Sequence, residues 1–185
     1  MKRFLRYFLI GLSVLIGLVL IAALIYPQKL EVKKTRLVEG PKSKVKKHIV
    51  DLKRFKKWSP FGQKDSNVTF SFEGKMGEPG SRMKWEGAGD LGSGAYTLKR
   101  ETQDSVILQL EFFKPHQSKS KSYFLIEKVA QGTKVSWGIE EELSWPGNAI
   151  PHFMGVERAI GKRFDKGLKG LAEMVEKPGD KGKGS

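Results

Sequence analysis

The chain has 185 residues, 39% of them hydrophobic, which suits one domain with a packed core and an attachment to it. It contains no cysteine, so disulfides, thiolate metal sites and thiol nucleophiles are excluded. A formal net charge of +14, from 34 basic and 20 acidic residues, favours a polyanionic partner, either nucleic acid or anionic lipid head groups.

The first element is a run from Tyr7 to Tyr26 without a single charge. Its twenty residues match the length that crosses a bilayer as a helix, with a tyrosine at each end where amphipathic rings favour the interface. A cleaved signal peptide is the competing reading. The apolar run is longer than a usual signal core, and Ala22 and Ala23 are the nearest approach to a small-residue cleavage site. An uncleaved anchor over residues 1–28 is therefore expected. Lys2, Arg3 and Arg6 precede the span, and Lys29, Lys33, Lys34 and Arg36 follow it, so the charge rule for orientation opposes itself. The short basic tail, of a kind usually kept in the cytoplasm, tips the expectation toward a domain on the outer, periplasmic or extracellular side.

Leu30 to Val38 reads as a strand, broken by Gly40 and Pro41. Lys42 to Lys57 reads as helix, with Val45, Ile49 and Leu52 on one side. This stretch carries Lys42, Lys46, Lys47, Lys53 and Arg54 and only one acid, Asp51. It is either a solvated helix face or a polybasic surface for anionic lipid, where each cation adds about 1 kcal/mol. From Val68 to Ile139 the apolar period falls to two: Phe70 and Phe72; Met83 and Trp85; Tyr96 and Leu98; Val106, Leu108, Leu110 and Phe112; Phe124 and Ile126; Val135, Trp137 and Ile139. Turn residues separate these runs at hairpin spacing. With the first strand they predict a seven-stranded antiparallel sheet with one apolar face. Ile150 to Glu176 then returns to helical spacing, with Phe153, Val156, Ile160, Phe164, Leu168, Leu171 and Val175 on one face. Pro151 suits a first turn, and Pro178 and Gly179 suit an end, so one continuous helix is expected to cover the sheet. Its Gly161, Gly167 and Gly170 each cost about 1 kcal/mol relative to alanine in a helix interior. They imply either close backbone approach or a helix that shifts when a ligand enters. Lys177 to Ser185 reads as a disordered tail.

Four segments carry a resemblance. DLKRFKKWSPF (Asp51 to Phe61) resembles the D-L-x-x-W-x-x-W-S-P-W segment of the SRPBCC superfamily, in its polyketide cyclase/dehydrase-like branch. GSRMKWEGAGDLGSGAYTL (Gly80 to Leu98), GTKVSW (Gly132 to Trp137) and IGKRFDKGLKGLAEMVE (Ile160 to Glu176) are similar to three further motifs of that branch, in order. Phe55 departs from the pattern, which often has tryptophan there. The resemblance spans residues 30–176, and many members of the branch carry an N-terminal hydrophobic span. It implies a START-like helix-grip domain over 29–176. In that fold an antiparallel sheet wraps a C-terminal helix around an apolar cavity that in related families holds lipids, sterols, quinones, hormones or polyketides.

Phe70, Phe72, Met83, Trp85, Tyr96, Leu108, Leu110, Phe124, Trp137 and Phe153 are the expected lining. Trp58, Trp85, Trp137 and Trp145 suit core as well as ligand, and Trp145-Pro146-Gly147 reads as the loop into the long helix. Strand alternation puts Glu141 on the inner side, where it is either a carboxylate at a cavity or a strand-end charge in water. His152, at the start of the long helix, is the other weak acid–base candidate. His48, His116 and His152 lack the convergent spacing of metal ligands, so no metal or cofactor is implied. Gly87 to Gly92 spells G-x-G-x-x-G but precedes a strand, which suits a hairpin better than a dinucleotide turn. Asn67-Val68-Thr69 is a formal glycosylation sequon. No nucleophile and base can be paired, and no nucleic-acid motif accompanies the lysines. The expected function is a membrane-anchored module that binds a hydrophobic small molecule or lipid. A cyclase- or dehydratase-type enzyme is the alternative.

Overall fold

The computed structural model describes residues 2–60, 68–87, 92–114 and 117–177. Phe61, the Asn67 sequon position, the centre of the glycine-rich segment, His116, Pro178, Gly179 and the rest of the tail lie outside the described residues.

The elements in order are α1 (Lys2–Ile25), β1 (Lys29–Val38), α2 (Lys42–Val50), α3 (Leu52–Trp58), β2 (Thr69–Glu73), β3 (Arg82–Glu86), β4 (Ser93–Glu101), β5 (Ser105–Lys114), β6 (Ser118–Val129), β7 (Gly132–Glu142), α4 (Ala149–Phe153) and α5 (Val156–Glu176). The seven strands form one antiparallel sheet in the order β1-β7-β6-β5-β4-β3-β2. Strands β2 to β7 meander, as hairpin-spaced runs must, and β1 closes the far edge against β7. The glycine-rich segment joins β3 to its neighbour β4, and the Gly87 N–H donates to the Gly92 carbonyl at 3.0 Å, which is hairpin geometry.

Two helical expectations change. The basic helix is two, because Asp51 is extended and caps α3, its carboxylate accepting from the amides of Lys53 and Arg54. The C-terminal helix is also two, because Gly155 adopts φ +65° and separates α4 from α5. Helical spacing alone had hidden that break.

α5 lies over the β1–β7 side of the sheet and contacts α2, α3 and α4. Its glycines mark close approach. A Cβ at Gly167 would sit 2.6 Å from the Trp137 ring, and one at Gly170 would sit 3.0 Å from the Trp58 carbonyl oxygen. α1 is long and apolar enough to cross a membrane, and only 6% of its most apolar window is buried, unlike a core helix.

Candidate ligand-binding face

Cross-strand register arranges the inner face of the sheet in rows. One row runs Lys34, Trp137, Phe124 and Val106 across β1, β7, β6 and β5. The next runs Val32, Ile139, Ser122, Leu108 and Leu98. In the row after that, Leu30 faces Glu141 at one edge, and Ser120, Leu110, Tyr96, Met83 and Phe72 continue to the other. The last contains Phe112, Gly94, Trp85 and Phe70. All nine strand residues expected to line a cavity therefore share one face.

The rows differ in how they are covered. Around Trp137 the space is filled. Its ring stacks on Phe164 of α5 at 4.2 Å and on Phe124 at 5.0 Å, and Phe55 and Trp58 of α3 meet it edge-on. Its indole N–H donates to Ser122 Oγ at 3.0 Å, which satisfies the buried polar atom. Trp58 does the same with the His48 carbonyl at 2.9 Å. Phe55 and Trp58 thus act as a plug over the inner face, a role that helical spacing did not disclose.

The covering thins at the edge strand β2 and at the end of β5. Phe70, Phe72 and Phe112 are half-buried against the core. Lys56 lies 4.1 Å from the Phe70 ring centre, and Lys53 lies 5.9 Å from that of Phe72, so α3 caps this edge with cations over aromatic faces. Gly94 leaves space that Trp85 fills, since a Cβ there would collide with the indole and with the Glu111 carbonyl.

The row from Leu30 to Phe72 carries polar groups at its β7, β6 and β4 positions. Ser120 Oγ donates to Glu141 Oε2 at 2.6 Å on the inner face. Sequence alternation had put Glu141 on that side, but Ser120, supplied by the neighbouring strand, was not foreseen. Tyr96 is fully buried in the same row. Desolvation holds its phenol well above the ordinary tyrosine range, and the positive charge of Arg163 on α5 opposes that shift. The arrangement is an apolar floor with a carboxylate, a hydroxyl and a neutral phenol along one row.

The remaining candidates are elsewhere. Phe153 is exposed and packs edge-on against Tyr26 at the end of α1. His152 stacks on Tyr26 at 5.0 Å, and its Nδ1 lies 2.8 Å from Glu157. Lys42 pairs with Asp104, Lys46 with Glu101 and Arg54 with Asp51, while Lys47 and Lys53 are exposed. β1 carries the chain through ten residues before α2 begins, about 30 Å at 3.3 Å per residue. The basic residues of α2 therefore lie at the opposite end of β1 from α1, not beside its exit. Among the described residues no cluster of His, Asp or Glu could hold a metal ion.

No protein-family model matches the chain, and no curated sequence matches it either. Solved structures do match. Protein CV1439 from Chromobacterium violaceum is 14% identical with a TM-score of 0.58, over 80% of this chain and 97% of that one. The di-domain ARO/CYC StfQ of the steffimycin biosynthetic pathway is 7% identical with a TM-score of 0.62, over 80% of this chain and 51% of StfQ. Ara h 8.0201 is 12% identical with a TM-score of 0.56, over 80% and 98% of the two chains. At these identities the likeness establishes the fold, α+β helix-grip, and the site must be argued from its own residues.

Proposed function

We propose that this chain is a membrane-anchored binding module that holds a hydrophobic small molecule or lipid between the sheet and α5. The observation that carries the proposal is the gradient along the inner face. Aromatic packing seals it around Trp137, whereas Phe112, diagonal to Ser120 of the Glu141–Ser120 pair, and Phe70 and Phe72 on the edge strand β2 are only half-buried. An apolar ligand body would lie against Phe70, Phe72, Trp85 and Phe112, and burial of its surface contributes about 25 cal/mol per Å² before ordering costs. Glu141 and Ser120 would orient a polar end.

The junction with α1 supports a retained anchor. Asn148 is fully buried, and its side-chain amide donates to the carbonyls of Ala23 at 2.9 Å and Tyr26 at 2.8 Å. Those carbonyls end a helix and lack intrahelical donors, so the side chain stands in for the missing turn. Cleavage after Ala23 would remove one of the two acceptors. On this reading residues 1–28 anchor the protein and 29–176 bind the ligand. Lys42 and Lys46 of α2 then serve as part of an ion-paired, solvated face, their charges engaged by Asp104 and Glu101.

The test is native mass spectrometry and lipid analysis of the full chain purified in mild detergent. A reproducible apolar adduct, displaced by added hydrophobic probe, is expected. A chain that is always empty and takes up neither acyl-chain nor ring-system probes would sink the proposal.

A second reading has one observation in its favour. Glu141 sits on the inner face in a fold shared with the ARO/CYC StfQ, which suits a cyclase- or dehydratase-type reaction with Glu141 as acid or base. Turnover of a candidate substrate that survives Glu141→Gln would remove that role.

A further inference from the structure

The segment between β7 and α5 exposes four large apolar side chains in ten residues: Trp145 (51%), Ile150 (52%), Phe153 (65%) and Met154 (75%). Scattered single apolar residues at a surface need no explanation, but these four fall within one short segment. Asn148, between them in sequence, grips the last turn of α1, and Tyr26 packs on His152 and Phe153. The segment is thereby held at the end of α1, whose last residues Leu24 and Ile25 are themselves exposed. Arg158 and Lys162 are exposed on the first two turns of α5 next to it.

We infer that residues 145–154 form a membrane-inserting element that dips into the leaflet from which α1 emerges, in addition to α1 itself. The inference rests on the anchor reading of α1. Its partner is the boundary between lipid head groups and acyl chains. There a tryptophan ring with a polar edge is at home, and bulky aliphatic side chains bury without crossing the bilayer. Arg158 and Lys162 then lie at head-group height, where cations meet anionic lipid. The packing of exposed Phe153 on Tyr26, directly after exposed Ile25 of the apolar helix α1, identifies the occupant. A soluble partner would have to compete with the bilayer for side chains tethered at its surface. One consequence follows for the candidate site. The segment leaves β7 directly after Glu141 and Glu142, so its insertion sets the Glu141–Ser120 end of the inner face against the membrane. A hydrophobic ligand would then pass between bilayer and site without crossing bulk water.

The chain contains no cysteine, so single reporters are introduced without background. Leu15→Cys, Met154→Cys and Lys47→Cys are each made in the full chain, nitroxide-labelled and reconstituted in nanodiscs containing anionic lipid. Relaxation by oxygen, which concentrates in acyl chains, is compared with relaxation by a water-soluble nickel chelate. The expected ratio of oxygen to nickel effect is highest at Leu15, intermediate at Met154 and several-fold lower at Lys47. A second readout leaves the segment unchanged: lipids brominated near the glycerol end quench a fluorescence component that Trp145→Phe abolishes. Lipid-like values at Leu15 with water-like values at Met154, and no quenching of Trp145, would overturn the inference and leave the anchor standing. Water-like values at Leu15 would remove the anchor reading and the inference together.

Discussion

The inner face of the sheet has two ends that share a strand pattern and differ in their covering. Around Trp137, rings from β6, β7, α3 and α5 stack within 4.2–5.9 Å, and α5 comes so near that glycine stands at the contact. Toward the β2 edge, Phe70, Phe72 and, on β5, Phe112 are half-buried. A side chain in the first region has its stabilising contacts within the protein. One in the second keeps part of its apolar surface exposed. The fold is thus tightly packed in one region and only partly covered in the other, and the two answer differently to mutation.

The largest effect is expected from Trp137→Ala. Loss of a fully buried indole sandwiched by two rings should cost about 3–5 kcal/mol, seen as a large fall in the unfolding midpoint of the detergent-solubilised chain. If the cost is below about 1 kcal/mol, the stack is not what holds this end. Gly167→Ala comes next. The added methyl must displace the locked Trp137 ring or Pro60, so about 1–3 kcal/mol of destabilisation is expected from overpacking. Unchanged stability would revive the idea that α5 shifts freely.

Tyr96 gives a pH-dependent comparison. Its phenol titrates higher in the folded chain than the ordinary 10.0, because burial disfavours the anion. Its contribution is constant below the unfolded value. It is lost as pH rises above about 10, where the unfolded chain releases a proton that the folded chain keeps, at up to about 1.4 kcal/mol per pH unit. Tyr96→Phe should flatten that alkaline slope in denaturation curves taken from pH 8 to 11.

Phe112→Ala, at the less covered region, should have the smallest effect on stability, about 1 kcal/mol or a little more, because the ring is only partly buried. Its loading with a fluorescent hydrophobic probe should nevertheless fall several-fold. If Trp137→Ala and Phe112→Ala lowered stability equally, the two ends would not differ as described.

The sequence by itself determined the strand faces, the covering face of the C-terminal helix and the apolar span. Each is a local periodicity that backbone geometry imposes on neighbouring residues. The seven strands and the inward side of Phe70 through Trp137 and of Glu141 were legible for that reason. Tertiary structure decided what depends on partners distant in the chain. It decided that Ser120 meets Glu141, that Phe55 and Trp58 plug the inner face, and that Lys42 and Lys46 pair with Asp104 and Glu101. It also placed Asn148 against the end of α1, 122 residues earlier at Tyr26, so that two helical spans with no shared sequence signal form one junction. Register and long-range pairing fix such contacts, and neither is written in the spacing of adjacent side chains.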